Sequence, residues 1–176
     1  MRMKKWMTGF AAALLGADLF CKYRTERKND GEKEKKIFGG KVLIRKVHNY
    51  GFALNILSGE ERIVKGGSLL AGILLLCYHV KLFFSKKGTW KFAGTSLMLA
   101  GALSNLYDRF RRGYVVDYIG FAAADPQIRK ITFNIGDFCL MAGAVILAAA
   151  SAIRSIVKET KKAIKKQRKN LLSDHK

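Results

Sequence analysis

Three stretches of this chain, 66–84, 90–107 and 135–153, are apolar over the length of a membrane crossing. At about 1.5 Å rise per residue, a helix of 18 or 19 residues reaches roughly 27–29 Å, close to the roughly 30 Å of bilayer hydrocarbon. A fourth run, 6–23, is harder to read. The basic start Met1-Arg-Met-Lys-Lys5 followed by Gly9-Phe-Ala-Ala-Ala-Leu-Leu-Gly16 also has the layout of a signal peptide. Bulky Phe20 stands before Cys21, where a lipid-attachment cysteine would follow a small residue. Retention of this run gives four helices with both ends of the chain on the same side.

The formal charge of +20 could suggest nucleic acid. The basic residues flank the apolar runs, however, and do not alternate with aromatics, so they read as orientation signals for a membrane protein with no nucleic-acid partner. Lys4, Lys5, Lys86, Lys87 and the tail from Lys158 to Lys169 are expected to face the cytoplasm. That puts segments of about 24–65 and 108–134 outside. Those segments are themselves basic, with Lys33, Lys35, Lys36, Arg111 and Arg112, so the tail carries most of the orientation argument. The tail reads as a solvated helix extension or as a binder of anionic lipid headgroups.

The expected fold is mainly α and integral to the membrane: four transmembrane helices with a small extracytoplasmic β-rich cradle between the first and second. Residues 1–157 would form one membrane domain and 158–176 a basic cytoplasmic tail. The charged stretch 24–36 reads as a connection. Val42, Ile44 and Val47 with Lys41, Leu43 and Arg45 between them, bounded by Gly39-Gly40 and Asn49-Tyr-Gly51, predict a small sheet. The short basic segment 85–89 suits a tight helical hairpin. In the third run Gly94, Ala100, Gly101, Ala102 and Ser104 permit close helix approach, which would draw Asp108 and Arg109 toward the bundle axis. Residues 113–130, with the only proline, Pro126, read as loop or partly helical.

Ionisable groups at the ends of such runs are costly and suggest function. Asp117 follows the third run and Asp137 opens the last. Two carboxylates close together in a low-dielectric site tend to share one proton, which supplies a base and an acid at once. Taken singly, Asp117 could be a helix cap or a partner of Arg109, and Asp137 a first-turn residue capped with Asn134. Asp18 and Lys22, four apart on one helix face, are expected to form a structural ion pair. Arg109 could hold a backbone carbonyl or reach toward a headgroup. Asn105 and Asn134 could bond to a substrate, to the aspartates or across helices.

Other chemistries find little support. Cys21, Cys77 and Cys139 form no CxxC pair, and His48, His79 and His175 are scattered, so neither a disulfide framework nor a metal or cofactor site is expected. No G-x-S-x-G elbow and no Walker A loop occurs. Ser104 reads as a small packing residue and His79 as a helix-interface residue.

The string Gly101-Ala-Leu-Ser-Asn105-Leu-Tyr-Asp108-Arg109-Phe-Arg-Arg-Gly113-Tyr-Val-Val-Asp117 resembles the signature of the signal peptidase II family, and Phe133-Asn134-Ile-Gly-Asp137 resembles its second block. Asp18-Leu-Phe-Cys-Lys22 is similar to the family's D-x-x-x-K element, and Asn49-Tyr-Gly51-Phe-Ala53 to its N-x-G-x-A block. The resemblance implies a bacterial cytoplasmic-membrane aspartic endopeptidase; the basic flanks put both termini in the cytoplasm, and the chain is expected to act as a monomer. Such an enzyme cuts lipid-modified prolipoproteins before the diacylglyceryl cysteine and meets membrane lipids on its flanks. It implies that Asp117 and Asp137 form the dyad, and that Asn49, Gly101, Asn105, Arg109 and Asn134 line or support it. Ala100 and Ser104 replace the family's usual glycines, Leu54-Asn55 its Phe-Gly, and Gly136 its alanine. These departures put substrate preference in question and would suit a divergent paralogue; the alternative is a non-catalytic lipoprotein-binding or chaperone-like paralogue, against which the presence of both aspartates argues.

Overall fold

The computed structural model describes residues 2–27, 34–51 and 59–173, with side chains as far as 165. In chain order the elements are helix α1 (Arg2–Glu26), strands β1 (Lys35–Ile37) and β2 (Val42–Asn49), helices α2 (Glu61–Phe84) and α3 (Thr89–Arg111), strand β3 (Val115–Phe121), short helix α4 (Pro126–Lys130), strand β4 (Thr132–Phe133) and helix α5 (Ile135–Ser173). Ala53, Leu54 and Asn55 lie outside the described residues.

The molecule is arranged inside-out. Buried positions on α1 are Lys4, Ala11, Asp18, Lys22 and Thr25, at helical spacing along one face, while Trp6, Phe10 and Phe20 point outward. On α2 only Val64, Gly72 and Leu82 are buried, and leucines such as Leu70 and Leu74 are more than half exposed. Exposed apolar surface on this scale, wrapped around buried charge, fits a hydrocarbon surround. By length and apolarity, α2 and the 135–165 part of α5 are candidate membrane spans. The other two long helices are more polar, α1 through Asp18, Lys22 and its basic start, α3 through Thr95, Ser96, Ser104, Asn105, Asp108 and Arg109.

Helix α3 is the centre, with eleven buried residues and neighbours in α1, α2 and α5. Its seam with α5 is built from glycines seven residues apart on each helix, Gly94 and Gly101 facing Gly143 and Gly136. A Cβ on Gly94 would come within 2.7 Å of the Gly143 carbonyl oxygen, and one on Gly101 would collide with that of Gly136. The backbones therefore touch, as small-residue seams allow. His79 reaches Thr95 Oγ1 at 2.8 Å and stacks on Phe92, which makes it the α2–α3 interface residue its sequence context suggests. At the far end, the Lys4 ammonium donates to the carbonyls of Leu82, Phe83 and Ser85. That cation closes the C-terminus of α2, where carbonyls lack helical partners and the dipole favours positive charge.

The sheet is four-stranded and antiparallel, in the order β1-β2-β3-β4. Two of its strands come from the segment between α3 and α5, so the expected sheet confined between the first two long helices is corrected. Residues 113–130 are partly helical as expected, in α4, but Val115–Phe121 is not a loop: it is an inner strand, paired to β2 and to β4. Val115, Val116, Asp117 and Tyr118 are all buried, and a strand covered on both faces has no apolar–polar alternation to reveal it. A register irregularity between Ile44 and Val47 bends β2, after which Val47 lies opposite Asp117 and Asn49 opposite Val115.

Candidate active site

Asp117 sits in the middle of β3 and Asp137 in the first turn of α5, and the structure joins them through Asn134. Asn134 Nδ2 donates to Asp117 Oδ1 at 2.6 Å. Its backbone N–H donates to Asp137 Oδ2 at 3.1 Å, and its Oδ1 accepts from the Asp137 N–H at 2.8 Å. The last two bonds form a reciprocal N-terminal cap, so the capping role of Asp137 holds. The first bond is long-range in fold and ties the helix start to the strand.

Each carboxylate has one further amide donor. Asn49 Nδ2 donates to Asp117 Oδ2 at 3.1 Å, and Asn105 Nδ2 to Asp137 Oδ1 at 2.9 Å. Asn49 ends β2, where its Oδ1 also accepts from the Gly51 N–H. Asn105 lies on α3, and its Oδ1 accepts from Lys22 Nζ at 2.7 Å. That bond fixes the amide orientation, leaving the NH2 aimed at Asp137. Burial pushes the Asp117 carboxyl up to about 7, assisted by the negative charge of Asp137, while the Asn49 and Asn134 donors and the Lys22 charge oppose the rise.

Asp18 and Lys22 are paired at 3.2 Å, as their spacing predicts, and both are fully buried. The pair is part of a larger network. Lys22 also meets Asp108 Oδ2 at 3.2 Å and Ser104 Oγ at 3.0 Å. Asp108 additionally pairs with Arg112 and accepts from the Val116 N–H, which anchors the start of β3. Ser104 is therefore a hydrogen-bonding residue as well as a small one. Arg109 is buried, so it does not reach for a headgroup, and its Nη2 donates to the Gly51 carbonyl at 2.6 Å. Gly101 contributes by absence of a side chain, allowing α5 to approach at Gly136.

Beside these groups lies a cavity of about 430 Å³ between α2, α3 and α5. Asn49, Asn105, Arg109 and Asp137 line its polar end, and Leu75, Met98, Leu106 and Leu140 are among the apolar residues lining it. A pocket of this kind suits an apolar ligand oriented by a few polar groups. Among the described residues, no three His, Cys, Asp or Glu side chains cluster as metal ligands.

Sequence reasoning missed the outer brace and one inner residue. Glu26 accepts from Tyr114 OH at 2.9 Å and meets His48 Nε2 at 3.2 Å, while the His48 and Tyr114 rings stack at 4.0 Å. The brace clamps the end of α1 to the strand end that carries Asn49. Burial and Glu26 hold the Tyr114 hydroxyl proton, its pKa pushed up to about 12. Tyr118, buried next to Asp117, donates to Asp18 Oδ1 at 2.7 Å. Nothing in its local sequence signals a partner a hundred residues away.

Comparison with known proteins gives a consistent answer. The family model described as signal peptidase (SPase) II matches residues 10–153. A lipoprotein signal peptidase of Francisella tularensis subsp. novicida is 33% identical over 149 residues, covering 80% of this chain and 88% of that protein. One of Caldicellulosiruptor bescii is 37% identical over 111 residues, 63% of this chain and 67% of the relative. Two solved structures described as a bacterial membrane enzyme, determined by the in meso method at 2.3 and 1.9 Å, share the fold with TM-scores of 0.64 and 0.66. Both are 24% identical, spanning 88% and 85% of this chain and 91% and 92% of theirs. With the family model covering most of its length, including all four sequence blocks, the chain belongs to the signal peptidase II family of proteases.

Proposed function

We propose that this protein removes signal peptides from diacylglyceryl-modified prolipoproteins as an aspartic endopeptidase, with Asp117 and Asp137 as its dyad. The observation that carries the reading is the pair of carboxylates, Asp117 buried and Asp137 half-buried, bridged by Asn134 and held by Asn49 and Asn105, with Asp137 opening on an apolar cavity. Relatives bearing the name lipoprotein signal peptidase support the substrate class.

In this reading the four long helices all cross the cytoplasmic membrane, with both termini in the cytoplasm, the sheet outside, and 158–176 as a basic cytoplasmic tail. Acyl chains enter the cavity from the bilayer between α2 and α5, and the scissile bond comes to rest at its polar end. The dyad shares one proton. The ionised member takes a proton from water as it attacks the carbonyl, while the protonated member polarises that carbonyl. The pair then returns a proton to the leaving amine of the cysteine. The two carboxyls titrate as a coupled pair, so base and acid are roles of the dyad. Asn49, Asn105 and Asn134 keep the carboxylates oriented, and Arg109 holds the Gly51 backbone against the site.

The test uses detergent-purified protein and a diacylglyceryl-modified prolipoprotein, beside Asp117→Asn and Asp137→Asn. Release of the signal peptide by the native chain alone is the expected result. Binding without cleavage by the native chain would make it a lipoprotein-binding paralogue.

A further inference from the structure

The Asp18 carboxylate is 1% exposed and lies where α1, α3 and β3 meet. Three groups satisfy it: Tyr118 OH on Oδ1 at 2.7 Å, Ser104 OH on Oδ2 at 2.6 Å, and Lys22 Nζ at 3.2 Å. An ion pair alone would need only the lysine. The two hydroxyls connect Asp18 to one aspartate each.

Tyr118 is the residue after Asp117, and its oxygen also accepts from the Ile135 N–H at 3.3 Å. Ile135 stands between Asn134 and Asp137 at the start of α5. One phenol thus joins the strand that carries the first aspartate, the helix start that carries the second, and an anchor in α1. Burial and the Asp18 charge raise the Tyr118 pKa, so the phenol keeps its proton and remains a donor. Ser104 is the residue before Asn105, whose amide holds Asp137. Lys22 donates to both Ser104 Oγ and Asn105 Oδ1, which locks these neighbours together. Neither hydroxyl residue lines the cavity, and both are buried, so neither touches a ligand there.

The sequence makes room for this arrangement at one further position. A Cβ on Gly136 would stand 2.9 Å from Asp18 Oδ2 and 3.0 Å from Asn134 Oδ1. The added hydroxyl of Ser104 and the missing methyl of Gly136 therefore meet at the same carboxylate oxygen. Two separate departures from the family pattern become one packing solution.

We propose that Tyr118 and Ser104 are positioning residues that hold the two aspartates in register through the buried Asp18 carboxylate, with Gly136 supplying the space this requires. The proposal rests on the dyad reading above. Tyr118→Phe removes one oxygen and keeps the ring. In the full-length protein acting on a lipid-modified prolipoprotein, it is expected to lower kcat about tenfold to a hundredfold, the usual range for a lost bond to a charged group. KM should stay within about twofold, because the phenol does not reach the cavity. Gly136→Ala alone should also lower kcat, and adding Ser104→Gly should restore part of it, since the two changes meet at one atom.

Native kcat in Tyr118→Phe, with Asp117→Asn inactive, would overturn the positioning role and leave the dyad standing. The same holds if the loss in Tyr118→Phe tracks only the fraction of folded protein, read by thermal unfolding, or if Gly136→Ala and Ser104→Gly are simply additive. Full activity in both Asp→Asn variants would remove the dyad and this proposal together. Should Tyr118→Phe fail to accumulate, Ser104→Ala carries the test, with lowered kcat at constant KM expected and native kcat overturning it.

Discussion

The two long helices that flank α3 are attached to it in opposite ways. Against α5, glycine meets glycine and the backbones touch, with polar bonds at the end where Asn105 reaches Asp137. Against α2, contact is made through side chains: Gly72 faces only the tip of Leu106, His79 reaches Thr95, and a cavity of about 430 Å³ remains between them. Backbone contact leaves no slack, so this flank fixes the start of α5, which carries Asp137. Side-chain contact yields, so the other flank can admit something large and apolar. A protease working on a lipid-anchored peptide needs both properties, and α3 carries both: its seam with α5 closes, while the space toward α2, walled in part by Leu140 and Met141 of α5, stays open.

The comparison can be broken most severely at the carboxylates. Asp117→Asn and Asp137→Asn should each cut turnover by on the order of 10³-fold or more, since each removes a member of the proposed acid–base pair, with signal-peptide release as the measurement. Next is the buried cation of α1, Lys22, which supports Asn105. Lys22→Met would leave buried Asp18 without its cation and Asp108 with Arg112 alone, and should destabilise the protein by about 3–5 kcal/mol, visible as a large fall in Tm in detergent.

Gly101→Ala probes the seam directly. The added methyl meets the Gly136 carbonyl, so the helices must part, at a cost of about 1–3 kcal/mol for overpacking and with loss of most activity. Gly66→Ala on α2, where nothing lies within 4 Å, should leave both Tm and activity near native. Equal effects at the two glycines would erase the distinction between the flanks.

The pH profile tests the proposed dyad electrostatically. Burial and the Asp137 charge hold the Asp117 carboxyl up to about 7, so the proton that the proposed pair shares is lost as pH rises through that region, and kcat/KM should fall along an alkaline limb. Asn49→Leu removes a donor that favours the ionised form, so that limb should move to higher pH. The smallest effect belongs to the compliant flank. Gly72→Leu should fill cavity space by displacing the flexible end of Leu106, raising KM several-fold while kcat is kept.

Much of the site was legible because its parts lie in short, ordered blocks. Asn134 and Asp137 are three residues apart, Asp18 and Lys22 four, and such spacings define a shared cap or helix face without any tertiary knowledge. Length and apolarity likewise gave the helices. The strand 115–121 escaped because burial on both faces removes the period-2 signal, and its pairing with β4 spans the short helix α4. Ser104 looked like a spacer because close packing and hydrogen bonding both favour a small residue there. Tyr118 gave no sign at all, since its partner is on α1.

By itself, then, the chain determined its helices, their inside-out polarity and the local identity of each reactive block, because periodicity, run length and capping act within a few residues. Which amide serves which carboxylate was decided only by tertiary structure. So were the single buried ion that supports Asn105 and Asp18, the flank that closes and the flank that stays open. Those outcomes depend on distances between segments up to a hundred residues apart, and glycine contacts and hydroxyl bonds set them where no local pattern records them.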